Sequence, residues 1–134
     1  METQVQFSDV TGILVHFSHE QINSLVHAMT PEQRRFARGL ADTIQHPHEI
    51  WQAWVADEHN AGQWFNTRFY LQFLDLSQTD VGEPYGVAVV RFVFEAARSR
   101  LELAEMHTVF GIQERVEAQI NGTVRRGHRA YSIA

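Results

Sequence analysis

The sequence predicts an α+β domain in which an N-terminal β-turn and helices pack on a twisted, mainly antiparallel sheet of four to five strands. Three observations predict it. Helix start signals cluster between residues 18 and 50, Tyr85 to Phe110 reads as a β-hairpin, and short turn-rich segments separate the strand-like runs of the second half. Helices first and then antiparallel strands is the order of an α+β chain. At 134 residues the chain suits one domain with one core, mainly helical over 1–56 and mainly sheet over 64–134.

Each element has a local reason. Val5 to Phe17 reads as strand, turn, strand, with Asp9 and Gly12 as the turn residues. Ser18 is placed to cap a helix with Gln21 at the capping-box position, and Ile22, Leu25, Val26 and Met29 form its apolar stripe. Thr30-Pro31 starts a second helix, which buries Phe36, Leu40 and Ile44, turns Arg34, Arg35 and Arg38 to water, and stops before Pro47. A short third helix is read over Gln45–Trp54, with Pro47 in its first turn and Ile50, Trp51 and Trp54 as anchors. After a polar turn over 57–63, Thr67–Leu76 alternates Phe69, Leu71 and Phe73 with Arg68, Tyr70 and Gln72, as a strand does.

The central hairpin is the most β-like stretch, rich in valine and phenylalanine. In its first arm Ala88, Val90, Phe92 and Phe94 share a face, opposite Val87, Val89, Arg91, Val93 and Glu95. In its second arm Leu101 and Leu103 share a face, but Glu105 and His107 take that face further on, while Met106, Thr108 and Phe110 point away. This phase change near Ala104 predicts a β-bulge, a device that re-aims side chains beside active sites. Ile112–Ile120 reads as a short helix stopped by Asn121-Gly122, and Thr123–Ala134 as a turn and a last strand lying beside the end of the hairpin's second arm.

Composition narrows the functional classes. The absence of cysteine removes disulfides, thiolate catalysis and cysteine zinc sites together. The longest apolar runs are too short for a membrane-spanning helix, and nothing near the N-terminus has the pattern of an export signal. The net charge is −5 and every Lys/Arg-type cation is arginine, three against eight acids in residues 1–62 and eight against eight in residues 63–134. That balance argues against a nonspecific nucleic-acid binder and fits an enzyme that focuses arginine in one cleft. The eight histidines include no His-Glu-x-x-His arrangement, and no nucleophile elbow or phosphate-binding glycine loop is present, so neither a metal nor a cofactor is expected.

What remains is a set of arginine, histidine, threonine and tyrosine in the sheet half: Arg68, His107, Thr108, Arg125, Arg126, His128 and Tyr131. These types suit metal-free RNA cleavage. A base must take the 2′-hydroxyl proton, a cation must stabilise the phosphorane, and an acid must protonate the 5′-oxygen. Histidine titrates near working pH, and arginine offers a fixed fork of donors.

The chain also resembles a family. The motifs are Phe7-Ser-Asp-x-Thr-Gly-x-x-Val15, Leu40-Ala-Asp-Thr-Ile-Gln-His-Pro-His-Glu-Ile-Trp51, Arg68-Phe-Tyr70, Val90-x-Phe-Val-Phe-Glu95, His107-Thr-Val-Phe110 and Arg125-Arg-Gly-x-x-x-Tyr131. In their order and spacing they resemble the phage-type branch of the barnase–EndoU–colicin–RelE ribonuclease class, found in phage head-morphogenesis proteins and the toxic tips of polymorphic toxins. The resemblance implies a helical cap and a twisted sheet whose concave face binds RNA, with Arg68, Thr108, Arg126 and Tyr131 as cleft residues. His107 joins them on chemical grounds as base or acid, and Arg125, His128, Arg129 and Tyr70 are expected to contact RNA.

The expected function is a metal-independent ribonuclease toxin domain acting on RNA, with tRNA as one candidate, in the cytoplasm of a target bacterial cell. It would arrive as the C-terminal part of a larger secreted or phage protein. It would be neutralised by an immunity protein, as a monomer or a toxin–immunity heterodimer. The acidic net charge departs from basic members of the class. Two alternatives stand beside this reading: a non-catalytic phage or interaction module of the same fold, and an ADP-ribosyltransferase with Glu105 or Glu95 facing an NAD cleft.

Overall fold

A computed structural model describes residues 4–34, 40–56, 64–78, 82–95, 97 and 99–133, with backbone alone at Glu32, Leu40, Val55, Ala56, Trp64 and Phe65. The elements run β1 (Gln4–Ser8), β2 (Leu14–Ser18), α1 (His19–His27), α2 (Pro31–Arg34), α3 (Leu40–Gln45), β3 (Glu49–Ala56), β4 (Trp64–Asp75), β5 (Tyr85–Glu95), β6 (Arg100–Gly111), α4 (Gln113–Thr123) and β7 (His128–Ser132). The architecture is α+β, as expected, but the sheet has seven strands rather than four to five, in the order β1-β2-β6-β5-β4-β3-β7. Every described pairing is antiparallel except β2 with β6, which run parallel over Val15–Leu101 and His16–Glu102.

The extra strands lie in the N-terminal part, which holds three strands beside its helices among the described residues. Its β1–β2 hairpin joins the sheet edge, and the segment read as a third helix over Gln45–Trp54 is instead β3. The reason is local. Pro47 ends α3 instead of opening a new helix, and beyond it Ile50, Gln52 and Trp54 alternate with Glu49, Trp51 and Ala53, a pattern with strand period. The helix caps do form as expected. Ser18 Oγ accepts from Gln21 N–H (3.0 Å) while Gln21 Oε1 accepts from Ser18 N–H (2.7 Å), and Thr30 Oγ1 accepts from Gln33 N–H (3.2 Å). Phe36, Arg35, Arg38 and the turn over 57–63 lie outside the described residues.

Alternation divides the core between the two faces of the sheet. On the first face Ile50, Tyr70, Val90, Phe92, Leu103 and Met106 pack with Ile44 of α3, the α1 stripe and the β1–β2 hairpin. On the second face Phe69, Leu71, Val87, Val89 and Val109 pack under Val116 and Ile120 of α4 and Val124. Phe92 is fully buried, and its ring meets Tyr70 edge-on at 5.7 Å. Trp51 is half-buried, whereas Trp54 is 67% exposed and is not the anchor the sequence led us to expect.

The strands at 67–76, 86–95 and 101–110 are sequential antiparallel neighbours, as expected. The bulge is present too: Arg91 pairs with Glu105 and Phe92 with Leu103, so Ala104 is the extra residue. α4 runs through Asn121-Gly122 to Thr123, and the chain reverses only at Gly127. Gly127 has φ +77°, and a Cβ there would come within 2.4 Å of Gln52 O. Only glycine fits this close approach, which seats β7 against β3.

Candidate functional site

The seating of β7 overturns the predicted cleft. β7 pairs with β3, not with β6, and four strand steps separate β6 from β7. At roughly 4.8 Å per step that is about 19 Å along the sheet. Arg126 and Tyr131 therefore do not lie beside His107 across a ladder. Arg68 and His107 also occupy opposite faces, since Arg68 pairs with Phe92 and His107 with Val89. Period-two alternation alone separates His107 from its neighbour Thr108. The five residues expected to converge are split between the two faces of the sheet and spread over β6, β4, β7 and the turn before β7.

Arg68 belongs to a closed polar core on the first face. Its side chain is 3% exposed and Asp9's is fully buried. Nε donates to Asp9 Oδ2 (3.2 Å) and to the Tyr70 hydroxyl (3.0 Å), Nη1 to Gln52 Oε1 (2.8 Å) and Nη2 to Thr11 Oγ1 (2.9 Å). The Tyr70 hydroxyl donates in turn to Asp9 Oδ2. Asp9 Oδ1 accepts from Thr11 N–H (2.8 Å), Thr11 Oγ1 (2.7 Å) and Ile13 N–H (3.1 Å), which builds the β1–β2 turn. Burial pushes the Asp9 carboxyl up, but the bonds from Tyr70, Thr11 and Ile13 and the Arg68 charge outweigh it and hold Asp9 below the usual carboxylate range. Burial and the Asp9 carboxylate push the Tyr70 phenol well up. This network ties the first hairpin to β4.

Thr108, Arg125, Arg126 and Tyr131 also have structural partners. Thr108 is buried, and its N–H and C=O are held by the Gln33 side-chain amide at 2.6 and 2.5 Å, which occupies the outer edge of β6 where a further strand would pair. Arg125 grips both oxygens of Glu49 (2.8 and 3.1 Å), bonds Glu117 and Asn121, and lies over the Phe73 ring. Tyr85 donates to Glu117 (2.9 Å) and Trp51 Nε1 to Glu49 (2.9 Å), so α4 is fastened to the sheet through Arg125. Exposed Arg126 bonds Gly122 O (2.8 Å) at the end of α4. Tyr131, opposite Ile50, packs on the first-face core. His128 and Arg129 are exposed at the start of β7.

His107 has different company. Because the bulge at Ala104 shifts the register, Glu105 and His107 project together on the second face, with Arg91 directly opposite Glu105. Glu105 Oε1 lies 3.0 Å from His107 Nδ1, and Glu105 Oε2 accepts from Arg91 Nε at 3.1 Å. His107 Nδ1 is shut off from solvent and faces the carboxylate at charge-pairing distance without good hydrogen-bond alignment. The side chains of Arg91, Glu105 and His107 are 27%, 44% and 35% exposed. The interaction with His107 lowers the Glu105 carboxyl first, burial opposes it, and Arg91 adds to the lowering, so Glu105 sits below its ordinary value. A carboxylate, an imidazole and a guanidinium thus share one partly open patch. Arg91 was not among the expected site residues. The signal for it was the hairpin register: with Glu95 opposite Arg100 and one extra residue at Ala104, Arg91 must face Glu105.

Among the described residues no group of three or more histidine and acidic side chains is arranged to hold a metal ion, and no helix is long and apolar enough to cross a membrane. No protein-family model, curated protein or solved structure matches the chain.

Proposed function

We propose that the chain is a metal-independent endoribonuclease whose reaction runs at Glu105, His107 and Arg91. The observation that carries the reading is the cluster itself: one carboxylate held between an imidazole at 3.0 Å and a guanidinium at 3.1 Å on a half-open sheet face. Glu105, ionised over the working range, takes the proton from the ribose 2′-hydroxyl. The freed oxygen attacks phosphorus, and Arg91 stabilises the charge on the phosphorane. His107, whose Nδ1 faces Glu105, presents Nε2 and protonates the departing 5′-oxygen, leaving a 2′,3′-cyclic phosphate and a 5′-hydroxyl. A substrate phosphate that draws Arg91 off Glu105 removes a positive neighbour from the carboxylate and raises its basicity at the moment it is needed.

The class resemblance supports the ribonuclease activity, though it points to other residues, and brings its context: RNA or tRNA as substrate, an immunity protein as partner, and action inside a target bacterial cell after delivery on a larger protein. The test is cleavage of total RNA and of tRNA, with chelator present, by the parent and by Glu105→Gln, His107→Ala and Arg91→Ala. Cleavage should persist in chelator and fall by about 10²–10⁴-fold on loss of either acid–base group. Full activity in both Glu105→Gln and His107→Ala removes the site. A parent that cuts nothing leaves the non-catalytic module, and one that modifies a target with NAD leaves the transferase.

A further inference from the structure

The catalytic cluster is one end of a row that crosses the second face. Glu105 lies opposite Arg91, Arg91 opposite Phe69, Phe69 opposite Trp51 and Trp51 opposite Arg129, each pair in direct cross-strand register. Four strand spacings make the row about 19 Å long. Phe69 is buried in the core packed under α4, Trp51 is half-buried at the margin of that core, and Arg129 is exposed, with its charge felt by Glu49. The indole of Trp51 is held in place: its Nε1 bonds Glu49 (2.9 Å), and Glu49 is itself clamped by Arg125. A fixed aromatic between two guanidinium groups matches what single-stranded nucleic acid needs, a surface for a base and cations for the flanking phosphates.

We propose that this row is a single-strand RNA subsite, with Trp51 as the stacking platform for a base and Arg129 as the contact for a phosphate beyond it. The inference rests on the ribonuclease reading and adds to it the substrate form, unpaired RNA laid across the strands. A duplex keeps its bases inside the stack and has none to offer Trp51. Neither residue touches the reacting atoms, so both act in binding and positioning.

The experiment uses the full chain carrying Glu105→Gln, to prevent cutting, and a labelled eight-nucleotide single-stranded RNA whose binding is followed by fluorescence anisotropy at several salt concentrations. Trp51→Leu should weaken binding by about tenfold, while Trp51→Phe, which keeps a ring, should retain most of it. Arg129→Ala should weaken binding and flatten the salt dependence by roughly 0.7 in slope, the share of one phosphate contact. Oligonucleotides with a single abasic position should show one site where the missing base matters to the parent and ceases to matter in Trp51→Leu. Unchanged affinity and salt slope in both Trp51→Leu and Arg129→Ala, with no sensitive abasic position, overturns the subsite. If the parent still cleaves RNA, that failure leaves the ribonuclease reading standing. If the parent cuts nothing but binds single strands through Trp51, the catalytic reading falls and the subsite stands.

Discussion

Arg68 on β4 and Arg91 on β5 sit within one residue of each other across a ladder, on opposite faces of the sheet, and each holds a carboxylate. Arg68 is sealed, with 3% of its side chain exposed, and distributes its donors over Asp9, Tyr70, Gln52 and Thr11. Arg91 is 27% exposed, and among the described residues it holds Glu105 through Nε alone. The difference separates architecture from chemistry. A desolvated, saturated network cannot take a ligand without losing internal bonds that water would not replace. A half-solvated pair exchanges partners at little cost, because water screens its charges and its bonds are worth little to the fold. Of two arginines that look alike in sequence, one closes the β1–β2 hairpin onto the sheet and the other pairs with Glu105 within reach of solvent.

The largest test of this contrast is kinetic. Glu105→Gln and His107→Ala should lower RNA cleavage by about 10²–10⁴-fold while leaving the melting temperature close to the parent's. A large loss of stability instead would mark the patch as structural. The converse test is Asp9→Ala or Arg68→Ala, each of which strands a buried charge. Either should cost about 3–5 kcal/mol in denaturant unfolding, and the molecules still folded should cut RNA at the parental rate. Loss of activity without loss of stability would reverse the two roles.

Acid should distinguish the regions next. Asp9 has a folded-state pKa held below its ordinary 3.8, so its contribution is present above that value and is lost as pH falls through the folded value. The stability gap between the parent and Asp9→Asn should therefore be full near neutrality and narrow below pH 3.8, as read from denaturant midpoints. A gap independent of pH would show that the Asp9 charge is not what the network uses. The smallest effect concerns Arg91→Ala, which should change stability by less than about 1 kcal/mol, since the pair it breaks is screened by solvent. A cost like that of Arg68→Ala would show that the second-face cluster is also part of the frame.

The two regions differ in how far they could be read from sequence. The bulge at Ala104 was legible, because Leu103 and Glu105 carry opposite polarity at positions where one face was expected to continue. The hairpin register that follows from it leads to Arg91. The Arg68 network was not legible, since Asp9 and Thr11 look like ordinary turn residues and reach β4 only when the first hairpin folds over the sheet. Arg126 and Tyr131, cleft residues in the resembling class, meet His107 only if the last strand lies beside β6, whereas it pairs with β3.

Sequence by itself determined the features that depend on neighbours within about four residues. These are the Ser18–Gln21 box, the Thr30-Pro31 start, the strand alternation of β4 and β5, the bulge, and the apolar stripe of α4. Their energies are local, so their signatures are too. Tertiary structure decided that β2 meets β6 in parallel and that β7 takes the far edge beside β3. A strand carries the same alternating pattern whichever edge it joins. The choice is made by distant contacts, such as the seat Gly127 finds on Gln52 and Ala53 and the clamp of Arg125 on Glu49, 76 residues away.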